Sequence, residues 1–193
     1  MSEIGTFTRG NGLQKKDFTE EGYPCVHYGQ IHTKFNSYAY KAITNCSFKL
    51  ARKLKKAKKG DIILATTSEN SEDVCKAVVW LGKEVAVSGD AYIFSHNQYP
   101  NYIGHLFRTS DFLKYKKRYA IGTKVIRISG EKIGEYEIPI PSLSEQKRIA
   151  DILDRFESLT TDLQEGLPAE INARRQQYEY YRDKLLTFKR KSA

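Results

Sequence analysis

The stretch Ile138-Pro-Ile-Pro-Ser-Leu-Ser-Glu-Gln-Lys-Arg-Ile-Ala-Asp-Ile-Leu-Asp-Arg-Phe156 divides the chain into two kinds of sequence. Pro139 and Pro141 hold the backbone extended and withhold two amide donors, so any strand ladder ends there. Ser142 followed by Glu145 is the pattern of a helix N-terminus. Beyond it Ile149, Ile152, Phe156, Leu159 and Leu163 step by three and four, the stripe of an amphipathic helix. Gly166-Leu167-Pro168 interrupts. Ile171, Tyr178 and Leu185 then recur every seven residues, with Tyr181 and Phe188 at the alternate positions and Arg174 at the first of these. This is a narrow coiled-coil seam, and a lone amphipathic helix of such length is marginal in water. The spacing predicts a helical spacer over 142–193 whose seam residues Leu159, Leu163, Ile171, Tyr178, Tyr181, Leu185 and Phe188 pack on a partner helix.

Residues 1–141 are punctuated every 8–12 residues by Gly, Asn, Asp, Ser or Pro, and the runs between favour strand. Ile4–Arg9 alternates, as does the stretch around Cys25–Tyr28; Asp61–Thr66 is a short apolar run suited to a buried strand. Cys75–Leu81, Gly82-Lys83 and Glu84–Val87 predict a hairpin on a short turn. Ala91–Phe94 and Lys124–Ile128 predict further strands. Between Pro100 and Tyr119 the apolar residues take helical spacing through Ile103, Leu106, Phe107 and Leu113, with a gap at Ser110. The expected fold is α+β: a mostly antiparallel-sheet domain with a packed helix over 1–141, then a helical coiled-coil spacer.

Composition narrows the function. The 193 residues carry 32 Lys and Arg against 23 Asp and Glu, a net charge of +9. From Ser142 onward there are 10 basic and 9 acidic residues, so the excess lies in residues 1–141, with 22 and 14. A basic body on a charge-balanced tail is the footprint of a polyanion binder. Three cysteines make no disulfide framework. No run nears the ~18 apolar residues of a membrane span, and the opening residues lack a signal-peptide core. A cytoplasmic location and no membrane partner are expected.

Catalytic patterns are thin. Arg9-Gly-Asn-Gly12 has Lys15 where a dinucleotide fingerprint needs its third glycine, and Gly122-Thr-Lys124 is no phosphate loop. His27, His32, His96, His105 and the cysteines lack metal-ligand spacing. Glu20/Glu21 and Glu72/Asp73 fit solvated loops. Neither an active site nor a metal is expected.

The segments around the junction resemble a known family. Gly122-Thr-Lys-Val-Ile-Arg-Ile-Ser129, Tyr136-Glu-Ile-Pro-Ile-Pro141 and Leu143-Ser-Glu-Gln-Lys-Arg-Ile-Ala-Asp-Ile-Leu-Asp154 are similar to the specificity subunit of type I restriction-modification enzymes. Arg174–Leu186 looks like its helical spacer. Tyr28-Gly-Gln-Ile31, Lys59-Gly-Asp-Ile62, Thr67-Ser-Glu-Asn70 and Ser88-Gly-Asp90 look like its target-recognition domain. The resemblance implies a non-catalytic subunit reading double-stranded DNA through two recognition domains held apart by antiparallel helices. It further implies docked methyltransferase subunits, which carry S-adenosylmethionine, and a motor-nuclease subunit in the full complex. The chain carries no cofactor of its own on this reading.

This sequence departs from that pattern in having one recognition domain and one spacer, half a subunit. Seven seam side chains at ~1.5–3 kcal/mol each outweigh an association cost of ~4–15 kcal/mol. An antiparallel homodimer reading a gapped inverted repeat is therefore expected. The alternatives are a spacer folded back on its own domain, a non-specific nucleic-acid binder, or an inactive cassette fragment.

Base reading needs donor and acceptor side chains on loops that can enter a groove. The candidates are Arg9, Asn11, Lys15 and Lys16 in the first loop, and Gln30, His32, Thr33 and Lys34 after the second strand. Thr67, Ser68, Asn70 and Ser71 form a third loop, and Thr123 and Lys124 a fourth. Asn and Ser at such places equally serve their own turns. Lys49–Lys59 is the densest basic run, fit for phosphates or simply for water.

Overall fold

The structure is a computed structural model that describes residues 1–162 and 168–187. Two five-stranded sheets form its centre. The first has the order β1 (Gly5–Arg9), β11 (Ala91–His96), β7 (Ile62–Ala65), β9 (Lys76–Trp80) and β4 (Tyr38–Ala39). The second runs β2 (Phe18–Thr19), β5 (Thr44–Cys46), β3 (Tyr23–Val26), β10 (Val85–Val87) and β6 (Lys56–Ala57). A two-stranded ribbon pairs β8 (Thr67–Ser68) with β12 (Ile126–Arg127). All pairings are antiparallel except β4 with β9 and β3 with β10.

Strand periodicity of two decides the layers. Ile62, Leu64, Ala77, Val79 and Phe94 turn to one side of the first sheet, where helices cover them. Ile63, Ala65, Val78, Trp80 and Ile93 turn to the other, meeting Val26, Val85 and Val87 of the second sheet. Cys25, Cys46 and Ala86 face outward from the second sheet onto Leu13, Ala51 and Leu54. The first sheet is thus buried on both faces, which is why Asp61–Thr66 reads as a continuous apolar run.

The helices are α1 (Tyr28–Thr33), α2 (Phe48–Ala51), α3 (Pro100–Leu106), α4 (Ser110–Tyr119), α5 (Gly130–Gly134), α6 (Leu143–Asp162) and α7 (Pro168–Leu186). None is long and apolar enough to cross a membrane among the described residues. Where the spacing suggested at least one helix between Pro100 and Tyr119 there are two. Thr109 caps α4 by accepting from the Phe112 amide at 3.2 Å. The break lets both Phe107 and Phe112 enter the core, their rings edge to face at 5.0 Å.

The expected hairpin of Cys75–Leu81 with Glu84–Val87 does not form. β9 and β10 belong to different sheets, and the chain crosses between them at Gly82-Lys83. Both runs are apolar on both faces, so each needs neighbours on either side rather than one another.

The seam also differs from expectation. Ser142 does cap α6, accepting from the Glu145 amide at 3.3 Å, while the Glu145 carboxylate turns to Arg148 instead of closing the box. α6 buries Gln146, Ile149, Ala150 and Leu153, the wide face of a helix lying on a globular core. Its Leu159 stays 49% exposed. α7 folds back against α6 and α4, so the seam is met within the chain: Tyr178 and Leu185 pack on the main core and Tyr181 stacks on Phe156 at 5.7 Å. Ile171 is half-buried. Leu163 and Phe188 lie outside the described residues. A buried polar network fastens this arrangement. Asp154 receives Asn101 at 2.8 Å, His105 Nε2 at 2.7 Å and the Tyr38 hydroxyl, and Tyr178 meets His105 Nδ1 at 3.3 Å. These hydrogen bonds outweigh burial and hold the Asp154 carboxyl below its usual pKa.

Two outcomes follow from this packing. Leu153→Ala should cost ~2–5 kcal/mol in denaturant unfolding, and Leu159→Ala within about 0.5 kcal/mol; equal losses would mean that α6 is not seated on this face. Burial pushes His96 down to about 4 from its ordinary 6.5. Between those values the unfolded chain holds a proton that the folded one lacks, so stability should drop as pH falls through that window. Unfolding titrations of His96→Gln should show a flatter acid limb there than the parent.

Candidate nucleic-acid interface

One end of the first sheet gathers the polar loops. The register sets Arg9 opposite Tyr92, Ala91 opposite Ala65, and Ala65 opposite Lys76. The end of β1, the start of β11, the end of β7 and the start of β9 therefore finish at one level. The loops after Arg9, before Ala91 and after Ala65 leave the sheet side by side. Gly10 lies so close to the Ser88 carbonyl that a Cβ there would sit 2.2 Å away. Only glycine permits that approach.

A cleft of about 560 Å³ opens between these loops, lined by Arg9, Lys15, His27, Tyr28, Ser88 and Asp90 among others. Arg9 is aimed by its own hydrogen bond, Nε to the Gly89 carbonyl at 2.8 Å, and pairs loosely with Asp90 at 3.5 Å. Lys15 and Lys16 stand exposed on a single 3-10 turn, Lys15–Asp17. The Ser88 hydroxyl accepts from the Tyr28 amide at 2.9 Å, fixing the start of α1 at the cleft. Burial and the nearby Lys15 lower the pKa of His27.

From the cleft α1 leads to the second group. His32 Nε2 meets the Thr67 carbonyl at 3.0 Å, and Lys76 Nζ donates to the His32 carbonyl at 3.0 Å. Thr67 and Ser68 pair through β8 with Arg127 and Ile126, and the Thr123-Lys124 turn stands exposed at the tip of that ribbon. Lys34 is exposed at the end of α1. The four loops singled out from sequence are thus neighbours along one end of the molecule.

Several candidates are occupied there by local bonds. Asn11 accepts from the Lys55 amide at 2.7 Å and donates to the Lys53 carbonyl at 2.9 Å, bringing part of the lysine run beside the first loop. Gln30 closes the N-terminus of α1, accepting from the His27 amide at 2.9 Å. Thr33 donates back to Gly29 at 2.9 Å, and Ser68 accepts from the Asn70 amide at 3.3 Å. Asn70 accepts from the amides of Glu72 and Asp73. Thr67 is buried and Ser71 half-buried. These residues shape the loops, whereas Arg9, Lys15, Lys16, Lys34 and Lys124 leave cationic groups at the surface.

Sequence reasoning missed Lys116. It is 2% exposed, and its Nζ donates to the carbonyls of Glu72 at 2.5 Å and Val74 at 2.7 Å. Burial lowers its pKa. It pins the third loop next to Cys75, whose φ of 62° is rare for a residue with a Cβ. Burial pushes the Cys75 thiol up to about 12, away from reactivity. The available signal was position: Lys116 falls four residues after Phe112, on the apolar face of α4. Among the other lysines of that helix, its charge gives no local sign of burial.

Among the described residues, the group of His and acid atoms close enough to share a cation is His105, Asp154 and Glu157. Arg108 lies 3.6 Å from Glu157, and Tyr38 and Asn101 already bond Asp154. The set suits a hydrogen-bonded fastening of α6 better than a metal.

A family of known proteins shares this sequence pattern: the type I restriction modification DNA specificity domain matches residues 1–173. The chain belongs to that family. Among this specificity chain's relatives is a type I restriction enzyme specificity subunit of Escherichia coli, 44% identical over 100 residues, which are 51% of this chain and 24% of that protein. The fold matches the HsdS subunit from Thermoanaerobacter tengcongensis with TM-score 0.59 at 15% identity, over 96% of this chain and 43% of that one. A chain from a structure of the type I R-M system matches with TM-score 0.62 at 17% identity, over 95% and 44%. The specificity chain thus spans less than half the length of each of these proteins.

Lys116→Met would strand two carbonyls at the third loop. It should cost about 1–3 kcal/mol in denaturant unfolding and speed amide exchange across residues 69–75. Parent-like exchange in that loop would show that Lys116 does not hold it.

Proposed function

We propose that this specificity chain is the DNA-reading part of a type I restriction-modification enzyme and performs no chemical step itself. The observation that carries the reading is the meeting of four polar loops, three of them bearing exposed cations, at one end of a sheet in a chain that belongs to this family. Arg9, Lys15, Lys16, Lys34 and Lys124 supply the charge that holds a phosphate backbone in register. The Arg9 guanidinium, fixed on the Gly89 carbonyl, is the best placed to address a base edge, since a bidentate arginine suits guanine.

The reading extends to the assembly. The chain takes one half of a bipartite target and a second copy takes the other, through the part of the helical pair left open around Leu159 and Tyr181. What supports this is that both remain exposed, although the fold-back of α7 covers Tyr178 and Leu185 and leaves less surface than a full seam. Methyltransferase subunits, bearing S-adenosylmethionine, and a motor-nuclease subunit are the remaining partners. Tyr180, 59% exposed on α7, offers them an aromatic contact.

Selection of the full chain on a pool of short randomised duplexes tests the first part. The bound pool should converge on one sequence held ~10³-fold or more above random DNA; even recovery of all sequences would leave a non-specific binder. Light scattering during size exclusion should give a mass near twice 22.2 kDa, and 22.2 kDa at every concentration would exclude the homodimer.

A further inference from the structure

The hairpin that closes on β12 carries an unusual combination of side chains. Ile121 is 78% exposed and Val125 44%, and Ile121 is the most exposed large apolar residue among those described. Apolar tips of this kind normally signal a surface that something else covers. The backbone beneath them is closely tied. Ile121 and Arg127 exchange two amide–carbonyl bonds, each 2.8 Å. Gly122 has φ of 130°, and a Cβ there would lie 2.0 Å from the Val125 carbonyl. The turn is a fixed projection, not a loose loop.

Cations dominate its own stretch of chain, although β8 brings the exposed Glu69, next to the paired Ser68, close to Val125. From Phe112 to Gly130 the sequence has six cations, Lys114, Lys116, Lys117, Arg118, Lys124 and Arg127, and no acidic residue. Lys116 is buried in its structural role and Lys117 pairs with Glu72 at 3.2 Å. Lys124 and Arg127 are exposed and make no ion pair among the described residues. A nucleic acid answers both features at once: phosphates flank the groove for Lys124 and Arg127, while sugar carbons and an opened base step give Ile121 and Val125 apolar contact.

We infer that the 121–127 hairpin is an apolar wedge that enters a groove of the DNA. Ile121 and Val125 press on sugar and base faces while Lys124 and Arg127 hold the flanking phosphates. This rests on the DNA-reading function proposed above and adds a contact of a different kind. Such a wedge selects sequence through the ease of deforming the duplex, not through hydrogen bonds to base edges.

Salt dependence separates the two kinds of contact. Binding of the full chain to a short random-sequence duplex, followed by fluorescence anisotropy between about 50 and 200 mM salt, gives affinity and salt slope. Ile121→Ala/Val125→Ala should bind on the order of tenfold more weakly with the slope unchanged. Lys124→Ala/Arg127→Ala should lower the slope by about 2. All four side chains are outside the core, so unchanged thermal unfolding serves as the control for folding. Parent-like affinity of the Ile121/Val125 variant overturns the wedge while leaving DNA binding intact, and a lowered slope in the cation variant alone reduces the hairpin to a phosphate contact. Absence of duplex binding by the parent chain overturns the DNA-reading function and the wedge with it.

Discussion

The polar end of this molecule depends on the register of β11 between β1 and β7. Side chains alternate along a strand, so a slip of one residue would turn Phe94 out of the helical core and Ile93 out of the inter-sheet core together. Both residues are almost wholly buried, and that double demand locks the pairing. Once it is locked, Arg9, Asp90 and Thr66 must emerge at the same level, where Thr66 and Gly10 bond the 90–91 segment. The candidate interface is then the place where a hydrophobic requirement runs out. Its geometry is inherited from packing elsewhere.

A second constraint sits on the opposite side of the first sheet. α6 carries Gln146 into the core fully buried, its amide accepting from Tyr99 N and donating to Gln98 and Pro141. Eight residues further on, Asp154 collects three donors from β4 and α3. A buried polar group is costly unless bonded, and bonded ones tolerate only one placement. Apolar contacts alone would let α6 slide by a turn. These two residues fix its position along the sheet, and α7 follows through Tyr178 and through Asp183, which receives the Ser110 hydroxyl. The direction in which the helical pair leaves the body is therefore set by hydrogen bonds.

Much of this was legible in the sequence, and the gaps have physical causes. Strands β1, β7, β11 and β12, the cap at Ser142 and the helical character of α6 and α7 came from local periodicity and turn chemistry. The partnership of β9 did not, because a run apolar on both faces says that it is buried without saying between what. The spacer face was misjudged for a related reason: Leu153 and Ala150 lie beside the expected stripe, and only tertiary packing picks the wider set. The four loops named from sequence lie near one another in the fold, while the use of Asn11, Gln30 and Asn70 in shaping their own turns depends on contacts that spacing cannot reveal. Lys116 escaped because a lysine among lysines carries no local sign that it will be buried.

The order of pairing in the first sheet also bears on how the chain acquires its structure. β1 is completed by β11, some 80 residues later in the chain, and the Ser2 amide is satisfied only by the carbonyl of Gly134. Topologies dominated by such distant pairings fold slowly, since loop closure must precede the contacts that reward it. During synthesis the first strand has no ladder to join until most of the sheet-bearing region has left the ribosome. Gly5–Arg9 is therefore an unpaired, alternating segment for most of that interval, and it is the part of the chain most in need of protection while the remainder is made.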